Sequence, residues 1–149
     1  MSNPGDFLKM LDTGHAIVLK EFPQAQLYEA DWNRGQPELW RFVYNDPATV
    51  PNSTIILNNV KGQFEPPRHI DSPWLEDRVI PFPVPMNLTV AEALAKKAGF
   101  DGDIAAITLR WPLYPESHEP CYILGIPSQH VHVFVGVYTH QVSTSPLST

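Results

Sequence analysis

His130 and His132 are the pair best spaced for chemistry in this 149-residue chain. They open the segment His130 to Val142, which alternates cleanly. Val131, Val133, Val135 and Val137 fall on one side, and His130, His132, Phe134, Tyr138 and His140 on the other. Side chains alternate faces along a strand, so this reads as a strand with an aliphatic core face and a face of imidazoles and aromatics. Two histidines on one strand face can ligate a metal, with His118, His140, Glu116 or Glu119 to complete the set. Spacing fixes no third ligand. The face is therefore read first as a contact surface for a protein partner, and second as a metal or small-ligand site on His130 and His132. No cofactor is expected.

Other candidate chemistry is weaker. Ser117-His118 and Ser128 near His130 lack the G-x-S-x-G elbow that exposes a nucleophile, so a serine hydrolase is set aside. Asp101, Asp103, Glu116 and Glu119 are carboxylates in turns, where acidic side chains are ordinarily solvated. Gly99 to Gly102 follows a helix rather than opening one, which excludes a phosphate loop. Cys121 is the lone cysteine, so neither an intrachain disulfide nor a Cys-x-x-Cys zinc site can form. It sits in an apolar run as a buried thiol. Asn52-Ser53-Thr54 and Asn87-Leu88-Thr89 match the glycosylation acceptor pattern, but nothing else in the chain indicates secretion, and no glycan is assigned.

Composition bounds the partners. The net charge of -6 argues against a sequence-independent nucleic-acid binder, which needs a basic footprint. No apolar run reaches membrane-spanning length, and residues 1–10 lack a basic and an apolar signal region, so a cytoplasmic protein is expected. Sixteen prolines with only 17% charged residues favour strands and ordered loops over long helices.

These residues need a scaffold. Asn3-Pro4 is expected to start a helix, with Asp6 in its first turn, a weak point at Gly14 and an end at Pro23. Strands are expected at 25–32, 39–44 and 54–64. In the first of them Ala25, Leu27 and Glu29 lie on one side and Tyr28, Ala30 and Trp32 on the other. Residues 66–87 hold six prolines among apolar groups, so they read as an ordered extended crossing rather than a solvated linker. Thr89 with Glu92 predicts a capping box, followed by a helix to about Ala98 that stops at Gly99. Strands follow at 103–111, 121–126 and 130–142, then a frayed tail.

Both halves run helix, strand, strand, strand. Phe22 matches Phe100, and Trp32 matches Trp111, at offsets of 78 and 79 residues. The division is one domain: repeat one 3–65, crossing 66–87, repeat two 88–142 and tail 143–149. Each half alone is too thin for a core. The expectation is α+β, with two αβββ repeats forming one antiparallel sheet and both helices packed on one face. The segment from Ala16 through the FPQAQLYEADW run to Trp32, and Ala91 to Trp111, resembles the PepSY-type unit. Two such units in tandem are similar to the beta-lactamase-inhibitor-protein architecture and, more loosely, to cystatin-like folds. The resemblance implies a non-catalytic protein that binds or inhibits another protein. It lends no functional residues.

The contact surface is accordingly expected on the open sheet face, at His130, His132, Phe134 and Tyr138, with the loops 33–37 and 112–120. Trp40 and Trp74 are the freer tryptophans and are candidate binding anchors. A homodimer through the same face is compatible with this.

Overall fold

The computed structural model describes residues 7–35, 38–75, 77–113 and 118–146. The expected helix start at Asn3, Pro4 and Asp6 lies outside them. So do Gln36 and Pro37 of the first contact loop, Glu116 and Ser117 of the second, and the last three residues of the tail.

The described residues form two helices, α1 (Phe7–Glu21) and α2 (Leu88–Lys97). They also form nine strands: β1 (Gln26–Asn33), β2 (Leu39–Asp46), β3 (Ser53–Val60), β4 (Gln63–Phe64), β5 (Arg68–Ile70), β6 (Ala106–Arg110), β7 (Cys121–Ile126), β8 (Val131–Gly136) and β9 (Val142–Pro146). All nine belong to one antiparallel sheet, in the order β4-β3-β2-β1-β6-β7-β8-β9, with β5 also paired to β3. The fold is α+β.

Side chains from both helices and one sheet face make a single apolar cluster. Phe7, Leu11 and Val18 of α1 and Leu88, Ala91 and Ala95 of α2 are its helical members, at the spacing that keeps residues on one helix face. Opposite them stand Phe42, Tyr44, Leu57, Tyr122, Leu124 and the valines Val133, Val135 and Val137. The aliphatic side of the 130–142 segment is thus core, as its alternation predicts.

Four local expectations are corrected. Helix α1 runs unbroken through Gly14. A Cβ there would stand 2.9 Å from Leu57 Cδ2 and 3.0 Å from Phe64 Cε1, so glycine lets the helix lie close to the sheet rather than bend. Helix α2 starts two residues early: Asn87, not Thr89, is its N-cap, and the Asn87 Oδ1 accepts the Leu88 N–H at 2.8 Å. The segment 130–142 is not one strand. It breaks after Gly136 into a turn with His140 at φ 65°, and the chain returns as β9 through Pro146, in place of a frayed tail. Likewise 54–64 breaks at Lys61-Gly62 and returns as β4.

The cap gives a small, clean prediction. Asn87→Ala should destabilise the chain by about 1 kcal/mol, whereas Thr89→Ala, on an exposed helical residue, should change stability by less than about 0.5 kcal/mol. Paired urea denaturation curves would decide it.

The proline-rich crossing is ordered. After β4 it pairs with β3 as β5, and Ser72 O accepts the Thr54 hydroxyl at 2.7 Å. It then crosses the sheet face away from the helices and turns back where the Ile80 N–H bonds to Leu27 O at 2.8 Å. Beyond that point Ile80, Val84 and Met86 enter the core, Phe82 stacks on His15 at 3.7 Å, and Met86 O accepts the Tyr122 hydroxyl at 2.7 Å. Proline suits such a path because little of it needs ladder N–H donors.

Candidate functional site

The sheet face away from the helices carries an ionic cluster that local alternation does not reveal. Strand β1 pairs with β2 as Leu27 with Tyr44 and then Glu29 with Val43, so one extra residue bulges at Tyr28. A bulge reverses the facing of the residues beyond it. Leu27, Ala30 and Trp32 therefore share the core side, and Glu29 and Asp31 turn to the opposite face. Simple alternation puts Glu29 beside Leu27, and the bulge is the reason it is not there.

Neighbouring strands and the crossing supply the partners. Arg41 on β2 stands opposite Asp31 and donates to its Oδ2 from Nη2 at 2.6 Å and from Nε at 3.0 Å, with Glu29 Oε2 at 3.6 Å. Arg110 on β6 donates to Glu29 Oε1 at 3.4 Å and has Asp77 Oδ1 within 3.7 Å. The Trp74 ring lies under the Arg41 guanidinium at 5.3 Å, and its Nε1–H reaches Glu29 Oε1 at 3.3 Å. Three carboxylates thus share two guanidiniums, and the Asp77 side chain is fully buried.

This arrangement favours protonated carboxyls. Burial is the main cause, and the neighbouring carboxylates add to it. Burial and the adjacent Glu29 push Asp31 up to about 7 despite Arg41. Burial raises Glu29, reinforced by Asp77. Burial also raises Asp77, against the pull of Glu29 and Arg110. A proton held near neutrality between paired carboxylates is the ingredient of general acid–base work. Here the indole of Trp74 covers Glu29, which is 4% exposed. The cluster fastens the crossing to the sheet.

Of the residues expected to form the contact surface, His132 and Phe134 share the β8 face opposite the core valines, and the others lie elsewhere. His130 is not on the strand: it ends a single 3-10 turn, Pro127–Gln129, in the left-handed conformation at φ 56°. His132 stands on β8 and is half-buried. The two imidazoles therefore do not share a strand face, and among the described residues no group of three His, Cys, Asp or Glu is placed to hold a metal. Phe134 is buried, and Tyr138 lies exposed in the turn beyond β8, because Gly136 takes the last strand position. Trp40, expected as a free anchor, is core: it sits 4.8 Å from Phe7 and 6.3 Å from Phe42 by ring centroid. Trp74 lies half-buried on the far face, where it can be touched.

Around Trp74 the far face exposes apolar groups. Leu75 is 75% exposed, and Val79 and Leu113 also face solvent. Trp111 ties this region together. Its Nε1–H donates to Val79 O at 2.9 Å, and the Arg78 guanidinium covers its ring at 3.8 Å. Sequence reasoning missed the ionic cluster. Its available signal was the acidic pair Glu29 and Asp31 two residues apart on a strand, with arginines at the same level of the neighbouring strands.

No family model matches the chain, and no curated protein does either. Among solved structures, the crystal structure of a candidate lipoprotein from Clostridium difficile 630 is similar to it. The TM-score is 0.66 over 91% of this chain and 92% of that one, at 11% identity. At that identity the likeness is one of fold alone. The chain is an α+β protein with one antiparallel sheet and two helices.

Proposed function

We propose that the chain is a non-catalytic binding protein built from two αβββ repeats, and that it takes a protein partner on the sheet face away from its helices. The repeat reading draws support from the symmetry of the sheet order about the β1–β6 junction. First strands meet there, second strands flank them, and each third strand is followed by a positive-φ turn and a short outer strand. PepSY-type and inhibitor-like units remain the comparison in kind.

One observation carries the binding reading. Leu75 and Val79 are exposed on a crossing that the ion pairs and Trp74 hold in place, beside half-buried Trp111. Apolar groups on a pre-organised platform, rimmed by arginines, have the make-up of a contact centre. This shifts the surface from His130 and His132 to Trp74, Leu75, Val79, Trp111 and Leu113.

A photo-crosslinking residue at position 75 tests it, with position 90 on the exposed side of α2 as the control. In extract of the source cells, a single protein should crosslink from 75 and not from 90. Unlabelled wild type should compete it away, and the Leu75→Asp, Val79→Asp double variant should not. Equal labelling from both positions, or none from 75, would refute the reading. A crosslink of the chain to itself would assign the surface to a homodimer.

A further inference from the structure

The far-face run of the crossing between Ser72 and Ile80 is tied at its ends and lightly held between them. Ser72 O takes the Thr54 hydroxyl at one end. At the other the Ile80 N–H bonds to Leu27 O, and the Ile80 side chain is buried. In between, Leu75 is 75% and Val79 40% exposed, Arg78 is exposed and Trp74 is half-buried. So little apolar surface is buried there that polar contacts decide whether the run lies on the sheet. Segments of that make-up open locally before the rest of a fold does.

Those polar contacts do not balance without a proton. Glu29 and Asp31 on β1 face Arg41 on β2 and Arg110 on β6, two carboxylates against two guanidiniums. The crossing adds a third carboxylate, Asp77, whose Oδ1 lies 3.7 Å from Arg110. The Asp77 side chain is fully buried, and its Oδ2 has no hydrogen-bond partner among the described residues. A buried anionic oxygen without a donor is costly. A protonated one is itself a donor, and Glu29 is the acceptor beside it. The other groups facing the cluster leave the count unchanged. Burial and Asp77 push the Tyr28 hydroxyl above its ordinary value, so it stays neutral, and the Arg78 guanidinium is turned to the Trp111 ring at 3.8 Å.

We propose that this run is a proton-latched strap: it lies closed on the sheet when the cluster holds one proton, and it lifts, giving that proton to solvent, when the cluster holds none. Lifting carries Asp77 into water. It leaves Glu29 and Asp31 balanced by Arg41 and Arg110, so the open form needs no proton. In the closed form the proton belongs to the three carboxyls together. Burial raises all three there, Asp31 to about 7 against an ordinary 3.8. The opening constant therefore climbs about tenfold per pH unit through that window and levels off above it. The strap carries Leu75 and Val79, so on the binding reading above a partner is held more tightly in acid. The latch itself does not rest on that reading, and either can fail alone.

Hydrogen exchange of the four indole N–H groups, followed by NMR on the full chain, reads the strap directly. Protection is taken relative to free indole, which removes the pH dependence of the exchange chemistry. The Trp74 indole belongs to the strap and bonds Glu29, whereas the core Trp40 indole reports global unfolding. Trp74 protection should stay at least about tenfold below that of Trp40. It should fall about tenfold per pH unit between about pH 5 and pH 7, then level off. Asp77→Asn removes the third carboxylate, and its Trp74 protection should be flat over the same range. Asp31→Asn leaves Glu29 and Asp77 against two arginines and should be flat as well. It serves if Asp77→Asn disturbs the fold, which a loss of Trp40 protection would reveal. Four results would each overturn the latch: Trp74 as unprotected as free indole at about pH 5, protection equal to that of Trp40, no fall between about pH 5 and pH 7, or a slope retained in the folded variants.

Discussion

Gly136→Ala is expected to lower the stability of this protein by about 4 kcal/mol, a large loss for a change of one methyl group. The new Cβ would overlap the Glu119 carboxylate, with Oε1 at 2.7 Å and the remaining carboxyl atoms nearer still. Glu119 cannot move aside cheaply. Its Oε1 accepts the Tyr138 N–H at 2.8 Å and the Thr139 N–H at 3.0 Å, and its Oε2 accepts the Thr139 hydroxyl. Burial alone would raise its pKa, yet these bonds hold the carboxyl below the usual carboxylate range. They shape the turn that lets β9 fold back on β8, so the substitution forces a choice between overlap and loss of the turn. Gly125→Ala is the control. Its Cβ would meet nothing closer than the Ala106 Cβ at 3.5 Å, and the change should stay within about 1 kcal/mol. Equal unfolding midpoints in guanidinium for the two variants would contradict this account of Gly136.

The second large effect is in pH. The folded state holds protons on Asp31, Glu29 and Asp77 at pH values where the unfolded chain has released them. Between the ordinary aspartate value of 3.8 and about 7, the native Asp31 binds more proton than the unfolded one, so stability rises as pH falls. This is opposite to the usual effect of a salt-bridged carboxylate. Lowering the pH from 8 to 5.5 is expected to add about 2 kcal/mol through the cluster, or roughly 6 °C in Tm. Two groups oppose it. Burial lowers the His15 pKa below 6.5, so its unfolded form gains protons first and stability is lost there as pH falls. Glu119 acts in the same sense below 4.5. Asp31→Asn isolates the cluster, because the difference between wild-type and variant Tm cancels His15 and Glu119. That difference should grow steadily from pH 8 to pH 5.5 in favour of the wild type. A flat difference would show that Asp31 carries an ordinary carboxylate pKa.

Both effects come from parts of the chain whose elements were legible and whose contacts were not. The valine alternation at 131, 133, 135 and 137 located a core strand correctly, and Gly99 marked the end of α2 as read. The same alternation overran Gly136, because nothing local distinguishes a continuing strand from one about to turn back. That choice rests on Glu119, which lies 19 and 20 residues from the amides it holds. The misplacement of Trp40 has a similar origin. A tryptophan on a strand between Leu39 and Arg41 is compatible with either face, and only Phe7 and Phe42 around it settle the matter.

By itself, the sequence determined the class of the protein: α+β, strand-rich, with two short amphipathic helices and an ordered proline-rich crossing. Hydrophobic period, turn residues and helix stops act over a few neighbours, so they can be read locally. Tertiary structure decided the sites. The bulge at Tyr28 exists only in the pairing of β1 with β2, and it sends Glu29 and Asp31 to the far face. Their partners then come from 10 and 81 residues away. Strand facing has a period of two, so one inserted residue reverses it, and that insertion is fixed by the partner strand rather than by the residues themselves.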